Sequence, residues 1–259
     1  MTPAESHQED DVPTQATEAL RADRSALLDL CAGLCEADWK TESGCPGWSV
    51  QDVVAHMGAL FTSVVAPGTL PDTAGLATER AQDVHVEFRR SWSAAQVVRD
   101  YASVSTQAIG ALERLAAVDR QLDLGDLGTH PAALLPNAFA FDHYTHIRAD
   151  LFAPRGPLTG TPPPSDELRL TAAIDWIEAA LPQQNRELLA GLSGSADLVL
   201  DGPGGRTIKL GAGGRTLRVA GDTTSFVRWI TQRGSWEELD VTAYGDPEQA
   251  ALLRRLRVW

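Results

Sequence analysis

Residues 41–60 read TESGCPGWSVQDVVAHMGAL. Gly44-Cys45-Pro46-Gly47 is a turn, because two glycines and a proline in four residues break any regular element. Ser49 follows as a helix N-cap, with Asp52 three residues on as its reciprocal partner. Val50, Val53, Val54, Met57 and Leu60 then recur at helical spacing, which predicts a core-facing helix running to about Val65 and stopping before Pro67-Gly68. His56 sits beside that apolar face. A lone histidine in such a place is usually a hydrogen-bonded structural residue, and becomes a metal ligand only in company.

Working outward, a first helix is expected from Thr14 to about Glu36, on Leu20, Leu27, Leu30, Cys31 and Leu34. Cys31 and Cys35 lie one turn apart but read as small core residues rather than a metal pair. Residues 67–90 give no clear pattern. A third helix is predicted from Ser93 to about Leu115, and a fourth from Ala132 or Pro136 to Leu151, ended by Pro154-Arg155-Gly156-Pro157. A further helix from Ser165 carries Leu170, Ile174, Ile177 and Leu181; Pro182 kinks or ends it, and helical character resumes to Leu189. Residues 196–221 then read as short strands divided by the glycine turns 202–205 and 211–214. A helix over Thr223–Gln232, a strand over Leu239–Tyr244 and a final helix from Pro247 to Val258 complete the chain. The fold class is therefore an N-terminal four-helix bundle with a small C-terminal α+β domain. Residues 1–13 are expected to be a disordered lead-in, 14–192 the bundle and 193–259 the small domain.

A formal net charge of −13 argues against nucleic acid and against anionic membrane surfaces, both of which are bound through Lys and Arg. No apolar run approaches the roughly 20 residues that span a bilayer. The acidic N-terminus lacks the features of a signal peptide, so a cytoplasmic location is expected.

The second chemical signal is Asp142-His143-Tyr144-Thr145-His146-Ile147-Arg148-Ala149-Asp150. On a helix, Asp142, His146 and Asp150 follow one another at one-turn intervals, and His143 is a near neighbour, so four potential ligands fall within about 100° of arc. Phe139, Phe141, Tyr144 and Ile147 surround them, which is unlike a solvated charged face. A carboxylate and an imidazole one turn apart, joined by His56 from another helix, supply three ligands and leave a fourth position for water or substrate. That arrangement belongs to catalytic zinc.

Residues 41–60 resemble the N-terminal signature of the DinB-like, mycothiol-dependent maleylpyruvate isomerase family, in which a Pro-Gly-Trp-Ser turn opens the helix bearing the first metal-binding histidine. The later helix, where the family has Glu and His four residues apart, holds Asp142 and His146 here. The segment VAGDTTSFVRWITQRGSWEELDVTAYGD is similar to the family's small domain, which is related to sterol-carrier folds. The resemblance implies zinc, or another divalent metal, held by His56, Asp142 and His146, with mycothiol as thiol cosubstrate. Because Asp142 is one methylene shorter than the usual Glu, His143 is the alternative third ligand, and Asp150 is read as orienting an imidazole N–H. Arg233 falls where the family has an arginine facing the cleft, so the resemblance makes it a clamp for a substrate carboxylate; Arg80, Arg89 and Arg90 are alternatives.

The implied activity is a zinc- and mycothiol-dependent transferase or isomerase acting on a small electrophile. Thiolate addition to a double bond, rotation and elimination would isomerise it, and retention of the thioether would make a transferase. A zinc hydrolase using metal-bound hydroxide, with Asp150 or His143 as base, is the second class. A non-catalytic binding protein of the same fold is the third.

Overall fold

The computed structural model describes residues 14–214 and 216–259, so the expected lead-in lies outside the described residues. Thr14 caps α1 (Gln15–Gly33), its hydroxyl accepting from the Thr17 amide at 3.2 Å. One turn, α2 (Glu36–Lys40), precedes the loop that holds Gly44, Cys45, Pro46 and Gly47. α3 (Val50–Val65) begins at the predicted residue: the Asp52 amide donates to Ser49 Oγ at 3.2 Å and the Ser49 amide to Asp52 Oδ2 at 2.9 Å. Such a reciprocal cap stabilises a helix start by about 1 kcal/mol. Here it also sets the register that places His56.

The unassigned stretch contains a helix, α4 (Thr78–Arg89), whose buried face is His85, Val86 and Arg89. Two polar residues beside one valine leave no apolar period to read. α5 (Ala94–Ala116) is capped by Ser93 with Gln96 in return. After a two-stranded ribbon, β1 (Gln121–Asp123) with β2 (Thr129–Pro131), comes α6 (Leu135–Thr145). Its continuation to Leu151 is not α-helical: residues His146–Leu151 form a π-helical turn. Such turns widen a helix locally and gather at functional sites.

α1, α3, α5 and α6 make the expected bundle, around Leu20, Leu27, Val53, Met57, Phe61, Tyr101, Leu112 and Ile147. Burying each large apolar side chain contributes about 1.5–3 kcal/mol. α7 (Glu167–Gln184) runs past Pro182 and is followed by one more turn, α8 (Arg186–Leu189). The sheet has order β4-β3-β5-β6, from β3 (Ser195–Asp201), β4 (Thr207–Gly211), β5 (Thr216–Asp222) and β6 (Thr242–Tyr244). β3 and β5 are parallel, and the other pairs antiparallel. α9 (Thr223–Ile230) follows β5 directly, and α10 (Pro247–Leu253) ends the regular structure.

α7 belongs to two layers. Ala172 packs in the bundle core, whereas Leu170, Ile174, Trp176, Ile177 and Leu181 pack in one cluster with Leu198, Val219, Phe226 and Trp229 of the sheet and α9. The apolar core is thus continuous from α6 through α7 to the sheet, across the position near residue 192 where the composition changes. No helix among the described residues is long and apolar enough to cross a membrane. Cys31 is buried, which pushes its thiol up to about 12, and Cys35 is exposed; neither belongs to a potential metal-binding group among the described residues.

A buried ion cluster ties the helices together. Asp23 of α1, 1% exposed, accepts from Arg148 of the π turn at 2.8 and 3.0 Å and from Arg169 of α7 at 2.6 Å. Removing the shared carboxylate leaves buried Arg148 with no carboxylate among the described residues and Arg169 with Asp166 alone. Asp23→Ala is expected to cost about 3–5 kcal/mol, read as a lower urea midpoint with an unchanged m-value; a change within 0.5 kcal/mol, the usual range for a surface site, would refute the reading.

Candidate metal centre

The capped start of α3 directs His56 toward α6, and the 3.6-residue period of α6 directs Asp142 and His146 back toward it. Asp142 Oδ1 lies 3.0 Å from His56 Nε2 and 3.5 Å from His146 Nε2. The two imidazole rings meet edge to face with centroids 4.8 Å apart. One donor atom from each of the three residues lies within 4.8 Å of the others. A tetrahedral zinc with bonds of about 2.0–2.1 Å has ligand-to-ligand edges near 3.3 Å, so the observed separations fit the donor triangle of such an ion. Asp142 Oδ2 is buried without a hydrogen-bond partner among the described residues, as is His56 Nδ1.

Electrostatics keeps the carboxylate charged. Burial pushes the Asp142 carboxyl up, but the imidazoles of His56 and His146 outweigh it and hold the group well below the usual carboxylate range. Burial likewise lowers His146, and the surrounding anions, Asp142 foremost, reverse this and raise it well above the usual histidine range.

His143 does not join this set. Each residue of an α-helix turns by about 100°, which carries His143 from the Asp142 direction into the bundle interior. Its ring packs 4.8 Å from Phe61 and 6.0 Å from Tyr101, its Nδ1 pairs with the Phe139 carbonyl at 3.0 Å, and burial lowers its pKa.

Asp150 lies behind His146. Its carboxylate, 0% exposed, accepts from His146 Nδ1 at 2.8 Å, and its Oδ1 and Oδ2 both accept from Arg233 Nε at 3.0 Å while Oδ2 takes Arg233 Nη2 at 2.5 Å. Burial pushes the Asp150 carboxyl up, but His146 and Arg233 draw it far below the ordinary range. Arg233 Nη1 donates to the Thr231 carbonyl at 3.1 Å. The guanidinium fork that the resemblance assigns to a substrate carboxylate is filled here by Asp150. The alternatives lie elsewhere: Arg80 pairs with Asp83, Arg89 is buried against Thr62, and Arg90 donates to the Gly47 carbonyl.

Two site residues escaped the sequence reading. Cys45 Sγ stands 3.6 Å from His146 Nδ1, and with His146 and Asp150 it forms a second potential donor group. Trp48 is the other. It stacks near His146 at 6.4 Å and 22°, lies 5.2 Å from His56, and is held by its indole N–H donating to Asp83 of α4 at 3.2 Å. The signal for both was their place in the turn that opens the histidine-bearing helix. Gly44 is required there, because a Cβ would come within 2.9 Å of Asp150 Cα. A cavity of about 170 Å³ adjoins the π turn, between Thr145, Ala149 and Arg155 on one side and Arg228 and Thr231 on the other.

Comparison with known proteins decides the family. The family model described as the mycothiol maleylpyruvate isomerase N-terminal domain matches residues 20–152, half of the chain and all three residues of the donor triangle. The chain belongs to this family. Two solved structures of the mycothiol-dependent maleylpyruvate isomerase, one of a histidine-to-alanine mutant, share the fold of this family member. They superpose with TM-scores of 0.56 and 0.55 at 17% identity, covering 92% of this chain and 96% of theirs. No curated protein matches the chain.

Asp150→Ala leaves Arg233 facing a buried void. Loss of about 3–5 kcal/mol is expected, measured by urea denaturation, with partial recovery in the double variant Asp150→Leu/Arg233→Met. Equal stability of Asp150→Ala and wild type would show that the pair is not structural.

Proposed function

We propose that this family member holds one divalent metal, zinc by its donor set, through His56, Asp142 and His146, and uses mycothiol to isomerise or transfer onto a small electrophile. The observation that carries the reading is the convergence of two imidazole Nε2 atoms on one carboxylate oxygen at 3.0 and 3.5 Å. Two imidazoles whose Nε2 protons a metal would displace, with one carboxylate, suit zinc with an open position. When bound, the metal supplies Lewis acidity that favours the thiolate form of a coordinated thiol at neutral pH.

The chain's own residues do the rest. Asp150 accepts the His146 Nδ1 proton, which fixes the tautomer with the Nε2 lone pair toward the metal position. Arg233 keeps Asp150 ionised, so it acts on the centre as a positioning residue. Trp48 covers one side of both imidazoles and excludes water there. In isomerisation the mycothiol thiolate adds to an electron-poor double bond, the resulting single bond rotates, and elimination returns both thiolate and product; in transfer the carbanion left by addition takes a proton from water and the new carbon–sulfur bond is kept.

The hydrolase reading needs a base free to take a proton from water. Asp150 is fully engaged and His143 is enclosed in the bundle, so neither residue is placed for it.

Metal analysis of the untagged protein and its variants tests the ligand set. One equivalent is expected in wild type and in His143→Ala, and little in His56→Ala, Asp142→Ala and His146→Ala. Asp150→Asn should weaken the metal about 10–100-fold, the usual effect of losing a partner behind a ligand. Full retention in Asp142→Ala would overturn the triangle. Calorimetry of mycothiol with the zinc-loaded protein should show saturable binding that the metal-free protein lacks; equal binding to both would separate the thiol from the metal.

A further inference from the structure

A cleft of about 1050 Å³ lies away from the candidate metal centre and shares no residue with it. Its wall includes Arg254, Arg255 and Arg257 of the C-terminal run Arg254-Arg255-Leu256-Arg257-Val258-Trp259, together with Arg186 of α8. The run alternates like a strand: Leu256 and Val258 are buried at 0% and 2%, and Arg255 and Arg257 are exposed. Side-chain amides hold it in place. Buried Asn185 donates to the Arg257 carbonyl at 2.7 Å and accepts its amide at 3.0 Å, Gln184 accepts the Trp259 amide at 3.0 Å, and Gln232 donates to the Leu256 carbonyl at 3.0 Å. The arginines are therefore carried on a fixed backbone, which lowers the ordering cost of binding a ligand.

Four arginines in one concavity are conspicuous in a chain of 22 basic and 35 acidic residues. Arg254 is paired with Glu237, and Arg257 lies over the Trp259 ring at 4.2 Å. Arg186 and Arg255 make no ion pair among the described residues. Of the two acids in the wall, Asp126 is occupied by the backbone and hydroxyl of Thr78, and only Glu187 stands against the cations.

We propose that this cleft binds an organic diphosphate. Guanidinium groups recognise phosphate oxygens through paired N–H donors. The volume lies just above the range of small-molecule sites, about 300–1,000 Å³, so a single inorganic phosphate would leave most of it empty.

The probes are ADP and inorganic pyrophosphate, titrated calorimetrically into the full chain at constant ionic strength. Saturable one-to-one binding is expected, tighter for ADP than for pyrophosphate. Arg186→Ala/Arg255→Ala should weaken it at least tenfold, and Arg99→Ala, remote from the cleft, should not. Both substitutions are of exposed side chains, and circular dichroism checks that the fold persists. Absence of saturable binding, or equal affinity in the double variant, overturns the site. Pyrophosphate binding tighter than ADP overturns the organic part of the ligand.

Discussion

The carboxylate of Asp150 is the constraint on which the rest of the centre depends. A fully buried anion persists only when cations or N–H donors surround it, because desolvation otherwise costs several kcal/mol. Here those donors come from separate parts of the chain: His146 one helical step earlier, Arg233 from beyond α9, and Arg155 from the loop after the π turn at 3.8 Å. The Asp150 carbonyl meanwhile accepts the Gly44 amide at 2.8 Å. One residue thus fixes the turn that carries Cys45 and Trp48, the rotamer of His146, and the approach of the α9 end to the bundle.

Much of this was legible in local sequence. The Ser49–Asp52 cap set the start of α3, and hence the direction of His56, to the residue. The four-residue spacing of Asp142 and His146 put both on one face. α7 is apolar around most of its circumference, with Ala172, Ala173, Trp176 and Ile177 all buried, and such a helix lies between two layers. That pattern explains why the core runs past residue 192 although the change from helices to strands falls there.

The rest was illegible for physical reasons. α4 buries His85 and Arg89, so its inner face has no hydrophobic period. The Asp23 cluster joins residues 125 and 146 positions apart, and no local pattern encodes such a pairing. Nothing in residues 146–151 announces a π turn, and the close packing of Gly44 and Gly156 against the backbone of Asp150 and Leu151 joins parts of the chain that no local pattern links. The fork of Arg233 was assigned outward, to a substrate, because sequence shows the guanidinium but not the buried anion waiting for it.

Asp142, whose acid is one methylene shorter than the Glu that the resemblance led us to expect, fits the same geometry. A carboxylate that reaches both Nε2 atoms at 3.0 and 3.5 Å, between rings 4.8 Å apart, already spans the gap between α3 and α6. One further methylene would carry the oxygens past the histidines unless the helices separated, and the close packing of the bundle opposes that. His143, the other candidate, cannot exchange places with Asp142 without leaving its contacts with Phe61, Tyr101 and the Phe139 carbonyl. The shorter acid thus meets both histidines through the close approach of α3 and α6 rather than through the reach of a longer side chain.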